Sequence, residues 1–409
     1  MAQMTVIVPV YNVESLLPLC LDSIRKQSLG DIEIVCVNDG STDRSGAILE
    51  LFAEIDPRII VVNQENRGVS AARNAGIKIA SSPYLCFVDA DDCLLRNACE
   101  VLFHTLDSSG ADVVKCSARV VPELRETPWH KKTLTLESGV FEGFSKEVIF
   151  ENPSRPFPWN GAYRTAFLKD NGIVFPEGLA LGEDQVFAFS TLARSSRTIM
   201  ISDCLYEYLV ERGDSAMSSF GENYIKKLES HERVVSEILR DWSAGGYIER
   251  AYEEVLGFVN DFHLVQLCVM PPCEDKKRLL GSFRCVLREH FDAGEVAKKV
   301  QNKYLSSAIC DLLQFDGSLS TFDSSRVWDL YAGSFGQEAA KAARKAANRS
   351  RFSEKVKAIF KKVWPLPARS MVRYLDYERE CASFIQRSQM ALELAGLERD
   401  QLHRPQQSR

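Results

Sequence analysis

No apolar run in the chain approaches the roughly 18–20 residues that a membrane-spanning helix needs, so a spanning helix is not expected. The N-terminus shows no basic segment followed by an apolar core, so no signal peptide is expected either. The sequence contains twelve cysteines but no Cys-x-x-Cys pair, and Cys36, Cys86 and Cys116 stand among apolar neighbours. They read as reduced core residues of a cytosolic protein, which sets aside a zinc site or a disulfide framework. Both glycine-rich phosphate loops, Gly-x-x-x-x-Gly-Lys and Gly-x-Gly-x-x-Gly, are missing. A nucleotide bound here would have its phosphates held by a metal rather than by a glycine-rich backbone. A strong net charge is missing too: −6 over 409 residues, with 45% hydrophobic and 26% charged residues. That is an ordinary globular composition, enough for two or three domains with sizeable cores, and no nucleic-acid partner is expected from it.

What the chain does have is an apolar run, Tyr84-Leu85-Cys86-Phe87-Val88, that stops abruptly in Asp89-Ala90-Asp91-Asp92. The run reads as a buried strand. Three carboxylates within four residues repel one another and lose solvation unless a cation sits among them. In isolation this is a solvated acidic turn; at the end of a buried strand, Asp89 and Asp91 suggest a divalent metal holding a phosphorylated ligand.

The elements around it repeat a pattern. Strands are expected over 5–11, 32–37, 58–62 and 84–88, with a further one over 112–121. Helices follow the first three, the first capped by Asn12 or Ser15 and the second by Ser41-Thr42-Asp43. The third carries Ala71, Ala75 and Ile79 on one side. Alternating strands and helices with short connections imply a mainly parallel sheet, and such sheets bind ligands at the carboxyl ends of their strands. That rule puts Tyr11, Asp39 and the 89–92 acids on one edge. Farther on, Pro156, Pro158, Trp159, Asn160 and Gly161 read as a rigid, loop-like entry to a short helix over 165–169. Glu183 and Asp184 then open another helix, where simple N-terminal capping competes with a functional role. The stretch 224–330 is helical, with Leu228, Val235, Ile238 and Leu239 as its apolar stripe and core packing as its role.

The tail differs. Between 341 and 373 eleven basic residues face the single acid Glu354, so the rest of the chain is more acidic than the total suggests. Phe352, Val356, Ile359, Phe360, Val363 and Trp364 recur at helical spacing among those bases, the profile of an interfacial membrane helix; packing on the rest of the protein is the plainer reading. Tyr374, Tyr377, Cys381, Phe384, Ser388, Ala391 and Ala395 follow a weak coiled-coil spacing that allows for a homo-oligomer. The expected division is a catalytic domain over 1–220, a helical accessory region over 221–336 and the tail over 337–409.

Taken together, five segments resemble family 2 glycosyltransferases: Val6-Ile7-Val8-Pro9-Val10-Tyr11-Asn12, Val37-Asn38-Asp39-Gly40-Ser41-Thr42-Asp43, Asn66-Arg67-Gly68-Val69-Ser70-Ala71-Ala72-Arg73-Asn74, Phe87-Val88-Asp89-Ala90-Asp91-Asp92 and Gly182-Glu183-Asp184. They stand in the family's order across the first half of the chain. The resemblance implies an α/β fold of the GT-A (Rossmann-like) type, a mainly parallel sheet flanked by helices, here followed by a helical region and a basic amphipathic tail. It implies inverting transfer from a nucleoside diphosphate sugar, a uridine diphosphate sugar first, with Mn2+ or Mg2+ as cofactor. Pro9, Tyr11 and Asp39 would hold the base and ribose, and Arg73 would either touch the nucleotide or form a surface ion pair. Asp89 and Asp91 would be the Asp-x-Asp pair, Asp91 the direct metal ligand and Asp92 a supporting neighbour. Asp184, with Glu183 beside it, would take the proton of the acceptor hydroxyl. Gly161 stands where the family often has Lys, so a basic contact would have to come from Arg164 or Arg155. Asn38 precedes Asp39 where Asp-Asp is frequent, one acid fewer.

The acceptor implied is a saccharide or a lipid-linked saccharide of a surface glycan. With the tail, that places the protein in the cytoplasm at the inner face of the membrane, bound through 341–373 to an anionic surface. Two other readings compete. A sugar nucleotidyltransferase would carry a glycine-rich basic loop after the first strand, where Tyr11-Asn12-Val13-Glu14 stands instead. A non-catalytic membrane scaffold with the same fold would have no use for acids at all three stations.

Overall fold

Alternate burial on the first strand decides which helices it can hold. In the computed structural model, which describes residues 2–152, 157–179, 181–210, 224–270 and 272–319 with Phe322 and Val327, β1 (Met4–Val10) lies inside a nine-stranded sheet. Successive strand side chains point to opposite faces. Val6, Val8 and Val10 therefore join Ile34 and Cys36 of β2 (Ile32–Asp39) in the core under α1 (Leu17–Arg25) and α2 (Ser45–Ile55). Val35 and Val37 face the other way, onto Ala72 of α3 (Val69–Ile79).

With β3 (Ile59–Gln64) and β4 (Tyr84–Phe87), these strands make a parallel half-sheet in the order β3-β2-β1-β4. The other half is mixed. It adds β5 (Cys93–Leu94), β6 (Val113–Val121), β7 (Gly139–Glu142), β8 (Gly161–Arg164) and β9 (Arg197–Leu209). β8 runs antiparallel between β4 and β6, while β6 and β9 pair in parallel. The remaining helices of this unit are α4 (Ala98–Ser109), α5 (Pro128–Leu134), α6 (Thr165–Asp170) and α7 (Glu183–Arg194).

Three local expectations are corrected. Neither Asn12 nor Ser15 caps α1, whose N-cap is Leu16 without a side-chain bond. Asn12 instead takes a left-handed φ of 47°, and its side-chain Oδ1 accepts from the Thr42 N–H at 2.8 Å, tying the loop after β1 to the loop after β2. The inner side of α3 is not Ala71, Ala75 and Ile79: Ile79 is exposed, and Ala72, Arg73, Gly76 and Ile77 are buried with Ala71. Gly76 lies against Ile7 with no room for a Cβ, which turns the helix that way. Gly161 is not the end of a loop-like entry but the first residue of β8, because the backbone there finds two open neighbours in β4 and β6.

The described residues fall into two compact units, one within Met1–Arg212 and one within Gly213–Ala368. The second is helical, with main helices at Tyr224–Ala244, Tyr252–Val259, Glu274–Arg288 and Lys303–Leu313. Leu228, Val235, Ile238 and Leu239 are buried there as the apolar spacing predicts. Among the described residues no helix is long and apolar enough to cross a membrane. The basic segment 341–373 and the coiled-coil pattern over 374–395 lie outside the described residues.

Candidate active site

Four parallel strands deliver four chain ends to one edge of the sheet. β1 ends at Val10, next to Tyr11, which is half exposed; Pro9 pairs with Val37 one step inside. β2 ends on Asp39, which is 3% exposed. Its Oδ1 accepts from Gln64 Nε2 at 2.6 Å and the Arg67 N–H at 2.9 Å, and its Oδ2 from the Gly68 N–H at 2.8 Å. A buried carboxylate needs such donors. Asp39 thus shapes the loop that leads into α3.

The acids after β4 separate into two classes. Asp92 turns inward at 1% exposure. It accepts from the Tyr206 hydroxyl at 2.8 Å and from the Leu209 N–H at 2.7 Å. Burial, then the nearby charge of Asp89, pushes its carboxyl well above the usual range. Asp89 and Asp91 stay partly exposed. The same Tyr206 hydroxyl accepts from the Asp89 N–H at 3.1 Å, so one ring braces both ends of the turn.

The cation that the acidic cluster calls for is built into the chain. Arg73, 5% exposed on α3, donates Nη2 to Asp89 Oδ1 at 2.9 Å and Nη1 to Glu183 Oε1 at 3.1 Å. Burial alone would weaken its charge, but Asp89, Glu183 and Asp184 together hold it firmly protonated. Its guanidinium also lies 5.1 Å from the Phe175 ring centroid. Arg73 is therefore neither a surface ion pair nor open to solvent; it joins the end of β4 to the start of α7.

That start is set by Gly182, whose φ of 86° lies in the left-handed region. Glu183 and Asp184 fill the first turn of α7, where the helix dipole favours carboxylates. The Asp184 Oδ1 accepts from the Gln185 N–H at 2.7 Å. Its charge is felt by Arg73, by Tyr208 of β9 and by Lys115 of β6. Phe87, Tyr163, Phe175 and Phe187 pack beneath, with Phe175 and Phe187 stacked at 4.0 Å. Asp89, Arg73, Glu183 and Asp184 form one cluster, and Asp91 stands two residues beyond Asp89 in the turn.

Arg164 does not reach it. Its guanidinium is taken by Asp112, which is buried and also accepts from the Ser196 N–H at 2.7 Å. Arg164 pairs with Tyr84 at the amino end of β4, the opposite edge of the sheet from the acids. Arg155 lies outside the described residues. The residue that sequence reasoning missed is Lys115: at Gly161 a Cβ would meet the Lys115 Cδ at 3.1 Å, so the lysine stem crosses the glycine. Its only signal in the sequence is a lysine within the apolar start of a strand, Val113-Val114-Lys115-Cys116.

Asp89 and Asp91 offer oxygen donors alone, the set that suits Mg2+ or Mn2+. One Asp89 oxygen is already bonded to Arg73. Among the described residues no group of three or more His, Cys, Asp or Glu is gathered as a metal site. Any such ion would complete its shell from a ligand's oxygens.

The sequence model described as "Glycosyl transferase family 2" matches residues 5–172. EpsH of Bacillus subtilis strain 168 is 32% identical over 233 residues, 55% of this chain and 64% of EpsH. EpsJ of the same strain, an uncharacterized glycosyltransferase, is 30% identical over 266 residues, 64% of this chain and 72% of EpsJ. The chain thus spans just under two thirds of one of these relatives and somewhat more of the other. In three dimensions it resembles Staphylococcus aureus TarS residues 1–349, solved in complex with UDP-GlcNAc. The TM-score is 0.66 at 23% identity, covering 82% of this chain and 93% of that one. This likeness identifies the GT-A fold.

Proposed function

This chain belongs to glycosyl transferase family 2, and from that premise we propose that it moves a sugar from a nucleoside diphosphate sugar to a saccharide or lipid-linked acceptor, with inversion at the anomeric carbon. A uridine diphosphate sugar is the first donor to test, since the structural relative TarS was solved with UDP-GlcNAc. The acceptor belongs to a surface glycan, and the basic segment 341–373 holds the enzyme at the inner face of the membrane.

The observation that carries the reading is the pair of ion pairs that Arg73 makes, one to Asp89 and one to Glu183. It locks the donor-side acids and the first turn of α7 into one rigid group. In this group Glu183 is bonded to Arg73, and Asp184 beside it in the first turn of α7 takes the role of base. Pro9, Tyr11 and Asp39 line the β1–β2 end of the same sheet edge and receive the base and ribose. Inversion requires the base to lie on the face opposite the departing diphosphate, where it takes the acceptor proton as the oxygen attacks.

Asp91 and the second oxygen of Asp89 would hold a Mn2+ or Mg2+ ion together with the diphosphate. Bound there, the ion offsets the negative charge that grows on the leaving nucleotide. Asp92 keeps the turn in shape through Tyr206.

The test is nucleotide release from a panel of sugar nucleotides with Mn2+ present, against a chelated control. Release from at least one donor, lost on chelation and restored by Mn2+ or Mg2+, is the expected result. No release and no binding with any donor would sink the reading.

A further inference from the structure

Lys115 stands in the middle of β6 at 3% exposure, where an ammonium costs several kcal/mol unless something compensates it. Its Nζ donates to the Phe157 carbonyl, and among the described residues it makes no ion pair. An ammonium has three N–H donors, so this single acceptor leaves the others unmet. The direction of the side chain follows from the strand register. Lys115 pairs with Gly161, lies across it, and is on the face of β6 opposite Val114 and Cys116, which point into the main core. From α7, the charge of Asp184 reaches the ammonium, yet no direct ion pair joins the two. The buried ammonium and the Asp184 carboxylate therefore influence each other without a direct bond.

We propose that Lys115 is a substrate-contacting residue whose ammonium donates a hydrogen bond to the oxygen of the hydroxyl that Asp184 deprotonates. The inference rests on Asp184 being the base of a glycosyl transfer. The attacking oxygen is held between the two charges. Its proton passes to the Asp184 carboxylate, and its electron pair forms the bond to the anomeric carbon. The bond from that carbon to the diphosphate oxygen breaks, and its pair leaves with the nucleotide. Lys115 exchanges no proton; it orients the oxygen and eases loss of the O–H proton by its charge. The arrangement takes a hydroxyl, a neutral oxygen that can accept from the ammonium and donate to the carboxylate at once.

Water stands in for the acceptor in a test that needs no knowledge of the glycan. Full-length protein is given the sugar nucleotide it turns over best in the donor panel, and nucleotide release into water is followed from pH 5.5 to 9. Burial first of all lowers the Lys115 pKa to about 7, opposed by Cys116 on its own strand and Asp184 on α7; the Cys116 thiol, pushed up to about 12 by burial, stays neutral throughout. The ammonium form is the one required, so the wild-type rate falls as pH rises through about 7. Lys115→Met and Lys115→Gln are expected to lose tenfold or more in rate and to lose that fall, with UDP affinity within twofold of wild type. The Gln variant can still donate to the Phe157 carbonyl, which separates charge from support of the 157–160 turn. A Gln variant with the wild-type rate and pH profile would overturn the inference, as would loss of UDP binding along with turnover in both variants. A wild type that releases nucleotide from no donor overturns the parent reading, and this one with it.

Discussion

Arg73 donates to Asp89 at 2.9 Å from a side chain that is only 5% exposed. The pair links a helix on one face of the sheet to the turn where the fourth strand ends, and the second bond, to Glu183, extends the link to α7. Removing one partner of a buried charged group typically costs about 3–5 kcal/mol, mostly because the charges left behind are uncompensated. Arg73→Met should therefore lower both thermal stability and turnover, the latter at least 100-fold. Arg73→Lys should rescue little, since one ammonium does not reproduce a guanidinium fork that serves two carboxylates. Thermal unfolding with and without UDP, alongside nucleotide release, checks both statements; wild-type turnover in the Lys variant would contradict the second.

Asp184→Asn keeps the shape of the first turn of α7 and removes the proposed base. A loss of about 10²–10⁴-fold in turnover is expected, with UDP binding by calorimetry within twofold of wild type. Parallel loss of affinity and activity would mean that Asp184 serves the helix end rather than the chemistry.

Tyr206 carries two bonds of the acidic turn, donating to Asp92 and accepting from the Asp89 N–H. Tyr206→Phe should cost about 1–3 kcal/mol by leaving both groups short of a partner. Chemical denaturation measures it. A variant as stable as wild type would show that the turn is held by other contacts.

Asp112 ties β6, β8 and the approach to β9 together through Arg164 and Ser196. Burial opposes its charge, but the bonds from Ser196 and Arg164 outweigh it and leave the carboxyl below its usual value. A depressed folded pKa contributes stability that is fully present above the unfolded value of about 3.9 and is lost as pH falls through the folded one. Asp112→Asn should thus be about 2 kcal/mol less stable than wild type at pH 7, with the difference shrinking below about pH 4. Equal stability at pH 7 would contradict this.

Deleting 337–409 removes the basic amphipathic segment. Co-sedimentation with vesicles containing anionic lipid should fall sharply relative to the full chain, and added salt should weaken binding of the full chain in the same way. Unchanged sedimentation after deletion would refute the membrane role.

Local composition alone determined a good part of this protein. Strand periodicity, helix stripes and short connections were enough to place the parallel half-sheet and the edge where its strands end, because backbone geometry repeats with fixed periods and such sheets present their strand ends on one side. The acids at 89–92 and 183–184 were visible as chemistry for the same reason: they end an apolar run or open a helix.

Only the tertiary structure decided how those acids are used. No spacing in the sequence tells that Arg73 crosses to both Asp89 and Glu183, that Asp92 turns inward to Tyr206, or that Arg164 is committed to Asp112. Each of these bonds joins residues from different elements, and the choice among carboxylates depends on which one desolvation strands beside which cation. Lys115 shows the difference most clearly. In the sequence it is one lysine after two valines; a glycine 46 positions later, paired with it on the neighbouring strand, gives its stem room to cross.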